Sequence, residues 1–354
     1  NYKQEKSFLA SLPIMENDKI LKKITKRNVL TEGLSSTYPF LLNELCDEEG
    51  IFLGVNDFNN SLVMIDRFDS EKYKNANMFI IGTSGSGKSY FTKLMVARNR
   101  YLNIPQYIVD PDREYTKICE KLGGTLIDFK SKAINIMDIR ESSKEGEESF
   151  LENKLGKLKA FFKIIFKELD FEEESFLEDI IIESYKRKEI TFDDKSLYKK
   201  IKNKTVFKES TDMPRLEDVY ELIKEDSRLK KFKNILKPYI NGSLKFLNCY
   251  TNVDLSNKIV VSDVYGIEEK DLPTVMYLIT EFYWDKIKID RSEKKILYLD
   301  EVWRLINKGK ETAEFVFKLF KTIRKYGGAA TAITQDINDF FSLDDGKFGI
   351  RNNK

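Results

Sequence analysis

Residues 82–89 read Gly-Thr-Ser-Gly-Ser-Gly-Lys-Ser, which meets G-x-x-x-x-G-K-[ST] at every fixed position and directly follows the apolar run Asn77-Met-Phe-Ile-Ile81. Few folds accommodate such a turn, because it must leave a strand, wrap an anion and enter a helix within eight residues. Gly82, Gly85 and Gly87 allow the tight path, and with Thr83, Ser84 and Ser86 they aim successive backbone N–H groups at a triphosphate. Lys88 is expected to reach the β- and γ-phosphates, Ser89 to hold Mg²⁺ through its hydroxyl, and Tyr90 to follow at the edge of the nucleotide site. The helix opening at Gly87 and running through Val96 adds the positive end of its dipole to the same anion. The expected ligands are therefore ATP or ADP with Mg²⁺.

Around this loop the pattern alternates. Strands are expected at 78–82, 106–110, 125–128, 258–264, 295–299 and 329–334, with helices at 87–100, 114–122, 271–289 and 311–325. Such βα alternation calls for a parallel sheet covered on both faces. Between about Glu147 and Leu247 apolar residues instead recur at helical spacing amid dense Lys and Glu, which predicts an inserted subdomain of four to six helices. Upstream, Gly50-Ile-Phe-Leu-Gly54 and Ser61-Leu-Val-Met-Ile-Asp66 flank Asn-Asp-Phe-Asn-Asn, a hairpin pattern expected to pack beside the nucleotide core. The organisation reads as a lead-in over 1–76, the first part of the core over 77–146, the helical insertion over 147–247 and the second part of the core over 248–354. The stretch Phe8-Leu-Ala-Ser-Leu-Pro13, in a chain that starts at Asn1, reads as the tail of a preceding domain. The run Ser142-Ser-Lys-Glu-Gly-Glu-Glu148 suits a solvated loop.

Composition removes several chemistries. The sequence of 354 residues has no histidine, so any general base is a carboxylate and no metal site uses imidazole. Lys+Arg 60 against Asp+Glu 58 gives a net charge of +2, which argues against a protein that coats DNA electrostatically and leaves DNA binding to a local basic face. Cys46, Cys119 and Cys249 form no C-x-x-C pair and read as buried thiols of a reducing compartment. No apolar stretch approaches the length of a membrane span, so a soluble chain is expected.

The second half of a phosphate-loop site is the run Lys295-Ile-Leu-Tyr-Leu-Asp-Glu301. Asp300, at the buried strand end, would hold the Mg²⁺ shell, and Glu301 would polarise the attacking water. Gln335, closing the strand that ends Ala332-Ile-Thr-Gln, is placed either to sense the γ-phosphate or to lie in a capping turn led by Thr334. Arg324 and Lys325 end a helix before Tyr326-Gly-Gly328. They are either cations favoured by a helix C-terminus or, with Arg324 the better candidate, a finger given in trans to a neighbouring subunit's phosphates. In Asp110-Pro-Asp-Arg-Glu-Tyr115, Asp110 or Glu114 would steady water or nucleotide, or Asp112 would cap the next helix. Trp303 reads as core packing in preference to an adenine stack.

Taken together, these motifs resemble one family: the conjugative type IV secretion ATPases of the TraC/TrwK/CagE kind, within the HerA/FtsK branch of RecA-like motors. The resemblance runs over Phe8 to Pro13, Gly50 to Gly54, Gly82 to Ser89 and Asp110 to Tyr115. It continues through Phe246-Leu-Asn248, Thr251-Asn-Val-Asp254, Leu299-Asp-Glu-Val-Trp-Arg-Leu305, Arg324-Lys-Tyr-Gly-Gly328 and Thr334-Gln335. It implies an α/β fold: a RecA-like P-loop NTPase core with a mainly parallel central sheet, an inserted all-helical subdomain and a small N-terminal β element. It further implies an ATPase motor that energises pilus assembly or substrate transfer, as a homo-hexamer in the full-length protein. Such a motor works at the cytoplasmic, inner face of the cell membrane with the channel and inner-membrane components of the secretion system. This fragment alone is expected to be monomeric. A DNA-translocating coupling protein of HerA type and a nucleotide-gated assembly scaffold are the rival readings. Two departures stand out: Asn135-Ile-Met-Asp138 replaces an Asn-Pro, suggesting a relaxed loop, and the chain stops at Lys354 soon after Phe348-Gly-Ile350, short of a further strand and helix.

Overall fold

The inner strands of a parallel sheet need cover on both faces, and in the computed structural model four of the six core strands are buried at every position. The structure describes residues 3–12, 19–35, 37, 45–129, 131–141, 148–166, 169–202, 204–225 and 228–335. The expectations for 142–147, Phe348-Gly-Ile350 and Lys354 lie outside these residues. The chain divides into two units, residues 1–46 with 54–63 and residues 47–53 with 64–354.

Among its described residues the smaller unit carries three short helices, α1 (Gln4–Ser11), α2 (Lys19–Thr25) and α3 (Thr31–Ser35), and α1 buries none of its side chains. The expected hairpin forms from β1 (Ile51–Val55) and β2 (Leu62–Ile65), its tip in the smaller unit and its base in the larger. Within the larger unit, Ile51 packs with Ile80, Met95 and Ile333, and Arg98 Nη1 donates to the Phe52 carbonyl.

The core of the larger unit is one six-stranded sheet built from β3 (Met78–Ile81), β4 (Gln106–Asp110), β5 (Thr125–Asp128), β8 (Ile259–Asp263), β9 (Lys295–Leu299) and β10 (Gly328–Thr334). Its order is β3-β10-β9-β4-β8-β5, and the registered pairs are parallel throughout. Alternate residues serve opposite faces. Ile108, Val261, Ile296 and Tyr298 meet Val96 of α4 (Lys88–Tyr101) and Cys119 of α5 (Thr116–Lys121) on one side. Tyr107, Val109, Val260, Leu297 and Leu299 join the main core on the other. Because every parallel pair needs a crossover, the loops that leave the carboxyl ends of the strands gather at one edge. All three cysteines are free, but only Cys119, on the face of α5 packed against the sheet, is buried; Cys46 and Cys249 are exposed, contrary to expectation, because neither lies on a helix packed against the sheet.

Between β5 and β8 lie α6 (Phe150–Ile165), α7 (Phe171–Lys186), α8 (Leu216–Glu225) and α9 (Lys233–Asn241). Capping boxes start the first two: Ser149 with Glu152, and Asp170 with Glu173, each satisfying orphan N–H groups reciprocally. To these helices the structure adds an antiparallel hairpin of β6 (Tyr198–Ile201) and β7 (Lys204–Phe207), which turns through Lys202 at φ +46°. The turn at Asn135-Ile-Met-Asp138 is not relaxed. Asn135 is fully buried, donates through Nδ2 to Pro214 O (2.9 Å) and accepts from Met137 N (3.0 Å), while Asp138 accepts from the hydroxyls of Ser210 and Thr251. These bonds fix the turn without a proline.

On the far side of β8, α10 (Leu272–Lys288) covers the sheet and is buried along nearly its whole length. After β9 the chain makes a short helix, α11 (Trp303–Ile306), then α12 (Lys310–Thr322) and a 3₁₀ turn over Ile323–Tyr326 that leads into β10.

Candidate active site

Strand order decides what meets what. β10 lies between β3 and β9, so the loop after β3 and the residues after β9 are separated by two strand spacings, about 9.5 Å. A phosphate and a hydrated cation fit across such a distance. Gly82 N–H donates to Thr334 O (3.3 Å), and Val302 N–H to Ile333 O (3.2 Å), so the end of β10 is fastened to both neighbours.

The phosphate loop has the backbone its glycines predict. Gly85 and Gly87 sit at φ +78° and +94°, in the left-handed region where a side chain is strained, and Gly87 is the residue from which α4 departs. A Cβ on Gly82 would come within 2.5 Å of Ser86 Oγ, so any larger residue would fill the cradle. Lys88 Nζ donates to the carbonyls of Gly82 (2.6 Å) and Thr83 (3.2 Å), which holds the ammonium over the loop. Ser89 is partly buried on the first turn of α4 and Tyr90 points outward, 74% exposed.

At the end of β9 stand two carboxylates with different surroundings. Asp300 is 5% exposed and accepts a hydrogen bond from the Glu301 N–H (2.9 Å); no cationic side chain pairs with it among the described residues. Burial, with the Glu301 charge adding to it, pushes the Asp300 carboxyl up to about 7. A buried carboxylate lacking a counter-charge is the donor a hard divalent cation takes. The loop and the carboxylate thus fit a nucleotide with Mg²⁺.

Glu301 is equally buried but held differently. Its backbone is left-handed at φ +48°, an unusual conformation for a non-glycine residue that concentrates at functional sites. Gln335 Nε2 donates to Glu301 Oε1 (3.0 Å), and the Trp303 indole N–H donates to Oε2. Gln335 is therefore beside Glu301, and the turn that would follow Thr334 lies outside the described residues. Trp303 is neither plain core nor free to stack on a base. The signal for it in the sequence was an indole two positions beyond Glu301, and core packing accounts equally well for such a residue.

The β4 loop is organised by Asp110, not Asp112. Asp110 is fully buried and accepts from the backbone N–H groups of Glu114 (3.0 Å) and Tyr115 (2.8 Å), and burial raises its carboxyl to about 6 against the pull of those two donors. Asp112 caps nothing, because α5 starts only at Thr116; it faces Arg304 instead (3.8 Å). Glu114 pairs with Lys93 of α4 (3.5 Å). Arg113 turns away to Asp263 at the end of β8 (2.6 Å).

Arg324 is not brought to this edge. It precedes β10, whose seven residues carry the chain about 20 Å to the catalytic end, and its Nη1 donates to Lys74 O (3.0 Å). A role at the phosphates of its own subunit is excluded by that distance. Lys325 lies in the same turn.

The model of the TraG P-loop domain family matches residues 56–353. Protein TraC of Escherichia coli (strain K12) is 25% identical over 356 residues, covering 95% of this chain; the chain spans 38% of the length of that relative. The solved structure of VirB4 of Thermoanaerobacter pseudethanolicus superposes with a TM-score of 0.75 at 26% identity, covering 87% of this chain and 82% of that one. The bacterial conjugative coupling protein TrwB aligns at 12% identity with a TM-score of 0.47, over 86% of this chain and 70% of that one.

Proposed function

From its membership of the TraG P-loop domain family, to which the chain belongs, we propose that it is the ATP-hydrolysing motor domain of a conjugative type IV secretion system. Residues 77–146 and 248–354 form the motor core, 147–247 the inserted subdomain and 1–76 the lead-in. The loop Gly82–Ser89, with Tyr90 at its edge, binds ATP, and Lys88 leaves the Gly82 and Thr83 carbonyls to neutralise the β- and γ-phosphates. Mg²⁺, held by the Ser89 hydroxyl and the Asp300 carboxylate, would offset phosphate charge and fix the triphosphate's orientation. Glu301 accepts a proton from a water that attacks the γ-phosphorus in line. The bond to the bridging oxygen breaks, giving ADP and inorganic phosphate. Gln335, already bonded to Glu301, is placed to register whether the γ-phosphate is present.

The observation that carries this reading is the junction at the carboxyl edge. The β3 loop and the Glu301 side chain are each tied to the end of β10, one through Thr334 O and the other through Gln335 Nε2. Arg324, pointing away, acts on a neighbouring subunit's phosphates in a homo-hexamer of the full-length protein. The assembly works at the inner face of the cell membrane with the channel components; no helix among the described residues is long and apolar enough to cross a membrane. The test is Glu301→Gln, expected to bind a fluorescent ATP analogue as tightly as the wild type while turnover falls by 10²-fold or more, an order typical of general bases. Turnover close to wild type in that variant removes Glu301 from the mechanism.

A further inference from the structure

Each oxygen of the Glu301 carboxylate accepts from a different donor, and the two donors differ in how firmly they are anchored. Gln335 is an exposed side chain just past the last residue of β10. Trp303 opens α11, whose Leu305 and Ile306 are wholly buried, and the turn before it is pinned by the Val302 N–H to Ile333 O. The Arg304 guanidinium lies 5.0 Å from the centre of the Trp303 ring. Arg304 in turn bonds to Glu269, on the loop after β8, and faces Asp112 (3.8 Å), on the loop after β4. The indole is thus braced by the loops of two neighbouring strands, while Gln335 has no comparable brace among the described residues.

We propose that Trp303 is the positioning residue of the hydrolytic site: its indole N–H is a permanent tether on Glu301 Oε2, which fixes the carboxylate plane and leaves Oε1 as the oxygen that exchanges Gln335 for the attacking water. This rests on the reading of Glu301 as the general base. A carboxylate free to rotate on its left-handed backbone would seldom present an oxygen to the water, and a misplacement of about 1 Å costs on the order of 10²-fold in rate. The indole N–H goes to Glu301 and to no residue of the phosphate loop, so loss of the tether is expected to fall on kcat and to spare KM. A purely structural role for the indole would instead lower stability and the fraction of active protein, with no such division.

The test uses this chain and its two tryptophans. Trp303→Phe, which keeps the ring and removes the donor, is expected to lower kcat for ATP by about 10²-fold with KM changed less than about twofold. Trp303→His, which restores a ring N–H, is expected to recover part of the loss. A second measurement is independent of both variants. In a Trp284→Phe background Trp303 is the sole emitter, and Glu301→Gln, by replacing a charged acceptor with a neutral one, is expected to shift its emission maximum. Wild-type kcat in Trp303→Phe together with an inactive Glu301→Gln overturns the tether and leaves the base intact. An unchanged Trp303 emission on Glu301→Gln overturns it as well. An active Glu301→Gln overturns the base and the tether with it.

Discussion

Asp300→Asn should make the metal-free protein more stable at pH 8 and leave it unchanged near pH 4. The unfolded chain ionises Asp300 near its ordinary value of 3.8, whereas in the fold burial, aided by the Glu301 charge, raises the carboxyl to about 7. Below 3.8 both states hold the proton and the residue costs nothing. Between 3.8 and 7 the unfolded state releases a proton that the folded state retains, so stability falls as pH rises; above 7 the loss is complete. The interval is roughly three pH units, and at ~1.4 kcal/mol per unit the ionised carboxylate costs the fold about 4 kcal/mol. Asparagine keeps the acceptor oxygen for the Glu301 N–H and never ionises. Urea unfolding in EDTA, followed by emission of Trp284 and Trp303, both in the larger unit, would be run at half-unit steps from pH 4.5 to 8. The variant's advantage should grow with pH and level off near 7. Adding Mg²⁺ and ATP at about 100 times their dissociation constant should return about 2.7 kcal/mol to the wild type and much less to the variant. A stability difference that is flat across the range, or a wild type that is the more stable at pH 8, would refute the assignment of Asp300 as a buried carboxylate without a counter-charge.

Two further outcomes can be checked with less effort. Arg324→Ala should leave turnover at high dilution as it was and abolish any rise in specific activity with protein concentration; a rise that survives the substitution removes this residue from the mechanism. Asp170→Ala deletes one half of a capping box in the insertion and should lower stability by about 1 kcal/mol, as loss of such caps does, with the KM for ATP unmoved.

How much of this could be read in advance follows from the physics of each element. β4 and β9 coincide with the strands expected at 106–110 and 295–299 because a parallel strand covered on both faces keeps a continuous apolar centre, Tyr107-Ile-Val109 and Ile296-Leu-Tyr-Leu299; β5, at the sheet's edge, matches 125–128 on the shorter Leu126-Ile127. The β6–β7 hairpin could not be seen that way, since Lys199, Lys200 and Lys204 fall in it and a hairpin lying on a surface keeps only fragments of alternation. The phosphate loop and the Asp-Glu pair were legible as motifs. Their adjacency was not, because it depends on a strand order that local patterns do not encode. Asp110 and Asp112 are indistinguishable by spacing; only the path of the backbone through Arg113, at φ +57°, lets the first carboxylate and not the second collect the N–H groups. Arg324 carries the same lesson, since a cation near a catalytic strand in sequence stands at its far end in space.

The placement of β10 between β3 and β9 has a consequence for how the molecule is made. The Ala330 N–H bonds to the Asn77 side chain across 253 residues, so the strand that seats the glycine turn must wait for that length of chain before its neighbour exists. Pairings this distant in the chain form slowly. During translation the ribosome therefore releases a nucleotide loop long before it releases the Asp-Glu pair and the glutamine that face it. A nascent chain that has not yet reached β9 and β10 lacks Asp300, Glu301 and Gln335, so on the proposed reading it could hold a nucleotide before it could hydrolyse one.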